Sequence, residues 1–510
     1  DSYLDTNKEI VSYDEFINKE LIHFSKYDCD RSIPNLMDGL KISLRKILFA
    51  SFKKNLTSEI KVAQFSGYVS EHSGYHHGEA SLNAAIVGMG QNFVGSNNIN
   101  LLVPSGQFGT RLQGGKDSAS ERYIFTYLNN ITRKLFPVLD DPILTYLNDD
   151  GLMVEPIFYA PIIPMILVNG AKGIGTGFST EVLPYNPDDI IEYLYRKLND
   201  DTDLTKNWVD FVPYYEGFKG TIKRLTQHKF LVKGKYENQG NDKIRVTELP
   251  VGFWTDDFKS NLESLLDSTD ANGKRIVPKI KDYDDMSKDV NVDFTIQFPK
   301  GKLSELESVK ADHDCNGVEK LLKLYSTISS SNMHLFNYDD KLKKYENVES
   351  IIDDYYSKRL ELYDIRKKYM INETEKELVL LSNKVKYIQE VLKGTIDLRR
   401  KSKEVIDDLL EAKQYDKLGK DKDYKYLVKM PMDSVSQENV ERLLNEHQKK
   451  EKELEKIQST TIQEMWLNEL KELGHAYSEY KEERTKLLDV ESDLKNEKVT
   501  IKKVKKKIVK

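Results

Sequence analysis

The sequence predicts a multidomain chain, mainly α with an α/β middle, that ends in a long antiparallel coiled coil. Three observations carry this. The 510 residues are enough for three or four domains, each with its own core. Thirteen of the 14 prolines precede residue 300, and beyond residue 303 only Gly317, Gly394, Gly419 and Gly474 remain of the 27 glycines. Helix breakers are therefore nearly absent from the last two-fifths, which must be built of long helices. Residues 67–178, by contrast, hold 15 glycines in 112 positions, the density of tight turns and close backbone approaches.

Each part can be read in chain order. Arg31-Ser-Ile-Pro-Asn-Leu-Met-Asp-Gly-Leu-Lys-Ile-Ser-Leu-Arg-Lys places a turn before an amphipathic helix, with Lys41, Arg45 and Lys46 close to one face. Ser73-Gly-Tyr-His-His-Gly-Glu-Ala-Ser sets adjacent histidines between glycines, and Gly106-Gln-Phe-Gly-Thr-Arg-Leu opens a Gly-rich loop that runs to Arg122-Tyr123. Short helices, glycine turns and a small ribbon suit a winged helix-turn-helix domain. The middle third, about 180–300, alternates like strands at Gly220-Thr-Ile-Lys-Arg, Lys229-Phe-Leu-Val-Lys-Gly-Lys-Tyr and Val292-Asp-Phe-Thr-Ile-Gln-Phe. Beyond it, Leu378, Leu381, Val385, Ile388 and Leu392 step by 3-4-3-4, and Leu470, Leu473, Tyr477 and Tyr480 by 3-4-3. With the broken segment near 395–435 between them, these stripes predict an antiparallel arm with a globular tip, the alternative being ordinary helices of a compact bundle. A helix over about 350–393 would be roughly 65 Å long. The end, Lys502 to Lys510, is a basic tail, either a solvated terminus or a localisation or phosphate-binding segment.

Composition bounds the function. No run of 18 apolar residues exists, so a membrane span is excluded. Cys29 and Cys315 are too few for a disulfide framework or a four-cysteine zinc site, which fits a reducing intracellular compartment. The net charge of −6 argues against a polyanionic partner until it is divided by segment. Residues 31–125 carry ten Lys/Arg against six Asp/Glu, a balance of +4, leaving about −10 for the rest. Contacts to a polyanion are local, so a basic module within an acidic chain can face phosphate.

Tyrosine beside arginine suggests a chemistry. A phenol titrates near ~10, so it must be deprotonated or polarised before in-line attack on a phosphodiester. A neighbouring guanidinium stabilises the phenolate and the charge on the phosphoryl oxygens. The phosphotyrosine ester is comparable in reactivity to the bond it replaces, so the displaced hydroxyl can return. That suits reversible strand breakage. With 29 tyrosines present, the dipeptide alone equally describes a surface pair.

Longer motifs narrow the choice. Gly95-Ser-Asn-Asn-Ile-Asn-Leu-Leu, Gly106-Gln-Phe-Gly-Thr-Arg-Leu and Gly114-Gly-Lys-Asp-Ser-Ala-Ser-Glu-Arg-Tyr-Ile-Phe-Thr resemble the DNA-gate region of type IIA DNA topoisomerases. The resemblance runs on through Glu155-Pro, Pro161-Ile-Ile-Pro-Met and Asn169-Gly-Ala-Lys-Gly-Ile-Gly-Thr-Gly. It continues more loosely at Gly217-Phe-Lys-Gly-Thr, Thr247-Glu-Leu-Pro-Val and Asn332-Met-His-Leu-Phe. The Tyr-His-His-Gly-Glu form is similar to the single-chain enzymes of eukaryotes and large DNA viruses. By this resemblance Tyr123 matches the nucleophile of the 5′-phosphotyrosyl link and Arg122 its transition-state stabiliser. Arg31, His76 and His77 match residues around the scissile phosphate, Lys41, Tyr75 and Ser81 match DNA contacts, and Ile174 matches an isoleucine wedged between base pairs. Such a wedge kinks the duplex, and the lost stacking is offset by extra wrapped contacts. Read alone, Ile174 between Gly173 and Gly175 is a buried loop anchor, His76 and His77 bond within a turn, and Arg31 caps a helix or pairs with Asp38.

The resemblance also implies an organisation. It gives a connector at 1–19 from an upstream metal-binding module, and a winged-helix domain at 20–165. It then gives an α/β tower at 166–344, a coiled-coil arm with a helical, dimer-forming C-gate tip at 345–490, and a basic tail at 491–510. The expected partners are double-stranded DNA and a second copy in a homodimer, with no membrane, in the nucleus or a viral host-cell compartment. Mg²⁺ and ATP are implied cofactors. No residue of the chain is assigned as a metal ligand and no phosphate-cradling loop with ATP-site context occurs, so both sites are expected upstream of Asp1, where the chain reads as cut. The chain by itself is then expected to bind DNA and cleave it poorly. A tyrosine recombinase would want a His-x-x-Arg, which is absent from the sequence. A DNA-bound coiled-coil scaffold would not need Tyr123.

Overall fold

A computed structural model describes residues 3–200 and 210–508, with side chains described through residue 487. The basic tail read at 491–510 lies outside the residues whose side chains are described. Among the described residues, one compact unit joins those up to Arg359 to those from Leu467 onward, and the second is Leu360–Trp466.

The first unit opens with α1 (Tyr13–Phe16), capped by the Ser12 side chain, and continues through a π-turn at Ile17–Leu21 into α2 (Ile22–Ser32). Pro34 follows two residues later, which is where α2 gives way to extended backbone at Ile33. The short helices α3 (Ile42–Lys54), α4 (Val62–Ser73) and α5 (Glu79–Gly90) pack around Ile47, Leu48, Phe65, Val69, Leu82 and Ile86, all buried. Asn55 and Gly74, both left-handed, end α3 and α4. Strand β1 (Ile60–Lys61) pairs antiparallel with β2 (Phe125–Thr126), giving the helix-turn-helix its small ribbon. Two hairpins extend this region: β3 (Tyr146–Asp149) with β4 (Leu152–Pro156), and β5 (Ala171–Ile174) with β6 (Ser179–Val182). The short helices α6 (Thr132–Leu135) and α7 (Met165–Asn169) precede the first and the second hairpin.

After α8 (Pro187–Leu198), the middle is mixed α/β as its alternation predicts. One sheet orders β13 (Tyr325–Ser329), β8 (Lys229–Lys233) and β7 (Thr221–Arg224). The other orders β11 (Asp282–Asp285), β12 (Phe294–Gln297), β10 (Lys243–Glu248) and β9 (Lys235–Gly240). The single run read at 229–236 is thus two strands. It breaks at Gly234, where any Cβ would sit 2.5 Å from the Glu248 carbonyl. Helices α9 (Thr255–Leu266), α10 (Lys302–Ser308) and α11 (Gly317–Leu321) complete a core that includes Ile244, Phe258, Phe294, Ile296 and Leu322. Strands β14 (Met333–Phe336) and β15 (Leu342–Tyr345) form a last hairpin.

In the second unit, α12 (Val348–Leu392) supplies the 378–392 stripe. Its partner is α15 (Gln437–Ser459). Lys367 reaches the carbonyls of Gln458 and Thr460, Glu377 pairs with Lys450, and Ser382 meets His447, so the two helices run antiparallel. Between them α13 (Lys403–Ala412) and α14 (Lys425–Val428) build a tip around Ile396, Leu410, Tyr415, Tyr424 and Leu427. The second stripe, on α16 (Ile462–Ile508), is buried as its spacing predicts, but within the first unit, to which the residues from Leu467 onward belong. Tyr477 donates to Glu216 at 3.1 Å, and Arg484 donates to the carbonyls of Asn97 and Asn98 at 3.0 Å each. Periodicity locates a buried face without saying what covers it.

Candidate functional site

The nine residues singled out in the sequence fall into three places. The first is a platform under Arg122 and Tyr123. On one side of the pair, the Glu121 carbonyl accepts from Ala63 N–H at 3.2 Å; on the other, the Ile124 carbonyl accepts from Val62 N–H at 3.0 Å. Ile124 is buried beneath and Phe125 pairs with Lys61, so the start of α4 holds the loop on both sides. Arg122 and Tyr123 point outward, with Tyr123 75% exposed, and neither side chain has a hydrogen bond or ion pair among the described residues. The Gly-rich loop leading there is itself fixed. Gly109 has a φ of +101° and packs so closely on Gly115 that a Cβ would lie 2.6 Å from the Gly115 Cα. Asp117 closes the loop by accepting from Thr110 N–H at 2.8 Å.

Arg111, in the same loop, turns inward. It forms a buried pair with Glu248, which also accepts from Lys219 N–H at 3.1 Å and Leu249 N–H at 2.9 Å. Two of the recognised motifs, around Gly106 and Thr247, thus meet through one ion pair. The asparagines of Gly95-Ser-Asn-Asn-Ile-Asn are likewise structural: Asn98 bonds the carbonyls of Val168 and Tyr214 and accepts from Glu216 N–H.

The second place is the turn between α4 and α5. Here Tyr75 is buried and meets His77 edge-on at 5.4 Å. His76 Nε2 lies 3.3 Å from Asp149 at the tip of the β3–β4 hairpin, and His77 Nε2 lies 2.8 Å from the Tyr27 hydroxyl on α2. The histidines therefore bond to distant segments rather than within their own turn. Partial burial, then the charges of Arg31, His76 and Lys46, push the His77 imidazole below its ordinary value of 6.5. Arg31 stands exposed at the end of α2 with no hydrogen bond or ion pair among the described residues. Asp38 instead takes Arg45, at 2.7 and 3.1 Å. Ser81 is exposed in the first turn of α5.

The third place is the β5–β6 hairpin. Ile174 ends β5 and is 84% exposed, the opposite of a buried anchor. The hairpin beneath is tightly docked: at Gly173 a Cβ would sit 2.0 Å from the Ser32 carbonyl. Lys41, expected to contact DNA, directs its ammonium to the Lys172 carbonyl at 2.6 Å, and burial lowers its pKa from the ordinary 10.5. Of the basic face read on α3, Arg45 is buried and Lys46 is taken up by Glu155 at 2.9 Å and the Ser73 carbonyl at 2.5 Å. Those two cations hold the domain together.

Comparison with known proteins decides the family. The family model of the DNA gyrase/topoisomerase IV A-subunit matches residues 31–471. The chain belongs to this family. Within it the chain is 41% identical to the DNA topoisomerase 2 of Plasmodium falciparum over 508 residues, covering 93% of this chain and 35% of that protein. It is 42% identical to that of Arabidopsis thaliana over 512 residues, with coverage of 92% and 34%. It is 38% identical to that of Acanthamoeba polyphaga mimivirus over 538 residues, with coverage of 94% and 42%. The chain therefore spans about a third to two-fifths of these relatives. Its fold is similar to the crystal structure of the Plasmodium falciparum topoisomerase II DNA-binding, cleavage and re-ligation domain. That likeness has a TM-score of 0.82 and 40% identity, over 97% of this chain and 67% of the other.

Tyr27 escaped the sequence reading, and Asp149-Asp150 reads from sequence as a turn and surface pair with no mark of its contact to His76. Asp149 lies 73 residues from His76 and Tyr27 lies 50 from His77, and neither sits in a motif. Among the described residues, no group of three or more His, Cys, Asp or Glu is placed to hold a metal ion. Nor, among them, is any helix long and apolar enough to cross a membrane.

Proposed function

We propose that this chain is the DNA breakage-and-reunion core of a type II DNA topoisomerase. The observation that carries the reading is the outward, unpartnered Arg122–Tyr123 pair on a platform held from both sides. The Tyr123 hydroxyl attacks a backbone phosphorus in line. The Tyr Oη–P bond forms as the P–O3′ bond breaks, leaving a 5′-phosphotyrosyl link and a 3′-hydroxyl. The phenolic proton leaves to a base and the departing 3′-oxygen takes one up; reversal reseals the strand. Arg122 stabilises the charge on the phosphoryl oxygens. Arg31 brings a fork of donors to the same phosphate, and His77, unprotonated near neutral pH, can receive a proton.

The Tyr123 side chain has no hydrogen bond or ring contact with Arg31, His76 or His77 of its own chain among the described residues. A duplex has two strands and each chain has one Tyr123, so the reading calls for a C2 homodimer. Ile174 enters a base step and bends the gate duplex, while Ser81, Lys41 and Tyr75 shape the surface around it. In the whole protein, opening of the break passes a second duplex, with ATP and Mg²⁺ used through residues other than the described ones. On this reading the protein works inside the cell, in the nucleus or a viral host-cell compartment.

The test is Tyr123→Phe in the full-length protein with supercoiled plasmid. Covalent protein–DNA adduct on a denaturing gel should fall by on the order of 10³-fold or more while duplex binding persists. Adduct persisting in the variant would overturn the reading.

A further inference from the structure

The last two turns of α2 touch both the hairpin that carries Ile174 and the His77 ring. Thr176, two residues beyond Ile174 in the hairpin turn, donates its hydroxyl to the Asp28 carboxylate at 2.9 Å. The Cys29 thiol donates to the Thr176 carbonyl at 3.5 Å, and the turn is closed by Gly175 N–H on the Phe178 carbonyl at 2.8 Å. Backbone contact is as close. A Cβ on Gly175 would lie 2.9 Å from the Cys29 sulfur, and one on Gly173 would overlap the Ser32 carbonyl. The hairpin's other strand is tied to β14: Glu181 N–H donates to the Asn332 carbonyl at 2.8 Å and His334 N–H to Thr180 Oγ1 at 3.0 Å. The hairpin is therefore held by the end of α2 on one strand and by β14 on the other.

On that helix, Tyr27 and Arg31 are four residues apart and Asp28 and Arg31 three apart, so all three lie toward one side. Tyr27 reaches His77 at 2.8 Å. One continuous line runs from Ile174 through Thr176 and Asp28 to Arg31, and through Tyr27 to His77.

We propose that the end of α2 is a connecting rod: seating Ile174 between base pairs moves α2, and α2 sets Arg31 and His77 against the phosphate. Tyr27, Asp28 and Thr176 are then positioning residues that make cleavage conditional on bending. This rests on the topoisomerase reading above and names a device within that site. It explains why the wedge is built on a hairpin clamped to the arginine's own helix. Its consequence is selectivity. Duplex that resists bending is bound, but Arg31 and His77 stay out of register and the strand stays whole.

The experiment uses the full-length protein with Thr176→Val, which removes the hydroxyl and keeps the shape, and Tyr27→Phe, which removes the contact to His77. Bending of a doubly labelled duplex is read by energy transfer, covalent adduct by denaturing gel, and folding by thermal melting. The expected result is bending within about twofold of wild type and adduct reduced about tenfold in each variant. The double variant should be little worse than either alone, because both cut the same line. Thr176→Ser, which restores the hydroxyl, should restore adduct. The proposal is overturned if adduct is unchanged, if bending and adduct fall together, or if the two losses multiply. It is likewise overturned if Thr176→Ser is as poor as Thr176→Val. Failure of the parent reading looks different: wild type itself would form no Tyr123-dependent adduct, and this inference would go with it.

Discussion

Arg45–Lys46 and Arg122–Tyr123 are both pairs of neighbours in the basic, glycine-punctuated part of the chain, and the fold treats them in opposite ways. Arg45 is buried against Asp38, whose carboxylate also accepts from the backbone of Leu40 and Tyr159. Lys46 is held by Glu155 and a carbonyl. Arg122 and Tyr123 face solvent with no partner among the described residues. The difference lies in what other segments bring. Tyr159 and Glu155 arrive from more than 100 residues away, and nothing among the described residues arrives opposite Tyr123. A cation that the fold has neutralised is structural, and one left free is available to a ligand.

The largest expected effect tests the buried half of that contrast. Asp38→Ala leaves the Arg45 guanidinium in the interior without its counter-charge, a change that costs roughly 3–5 kcal/mol. Denaturant unfolding should show the loss directly. A variant as stable as wild type would mean that Arg45 finds solvent on its own, and the contrast with Arg122 would collapse.

The exposed half predicts the converse. Arg122→Ala should leave stability within about 0.5 kcal/mol of wild type. Adduct formation should fall by about 10²–10³-fold, the usual cost of removing one charge-stabilising donor. A clear drop in unfolding free energy would show that Arg122 is another structural cation.

The same contrast explains what could be read without coordinates. The long-helix end was legible because missing Pro and Gly is a local property, and so was the mixed middle, through its alternation. Tyr123 and Ile174 were singled out by a dense run of motifs, and both side chains are exposed. Arg45 and Lys46 carry the charges that the spacing gives α3, but a helical wheel counts charges and not the carboxylates and carbonyls that meet them. Tyr27 carried no signal and Asp149 only that of a turn, since their contacts with His77 and His76 are tertiary. The second apolar stripe, at 470–480, was placed correctly as buried while its partner was not, for the same reason.

Ile174 extends the contrast to an apolar side chain. At 84% exposure it gives up little on truncation, so Ile174→Ala should melt with wild type. Energy transfer across a labelled duplex should show the bend lost, with adduct reduced about tenfold, because the small side chain no longer holds a step open. If stability falls instead, the residue packs in solution and the wedge reading fails.

His77 lies between the two classes, and its titration gives the smallest and sharpest test. In the free protein its midpoint should lie below 6.5, owing first to partial burial and then to Arg31, His76 and Lys46. A depressed folded value means the fold favours the neutral ring. That contribution is complete above about pH 6.5 and is lost as pH falls below it; with the ring exposed, the effect on global stability is slight. Duplex DNA should act the other way on the same group. Phosphate beside Arg31 offsets the positive field and favours the imidazolium, so the midpoint should rise on binding. Histidine-resolved NMR titrations with and without duplex measure the difference. A midpoint that does not move would mean that His77 answers to its protein neighbours alone and belongs with Arg45 and Lys46.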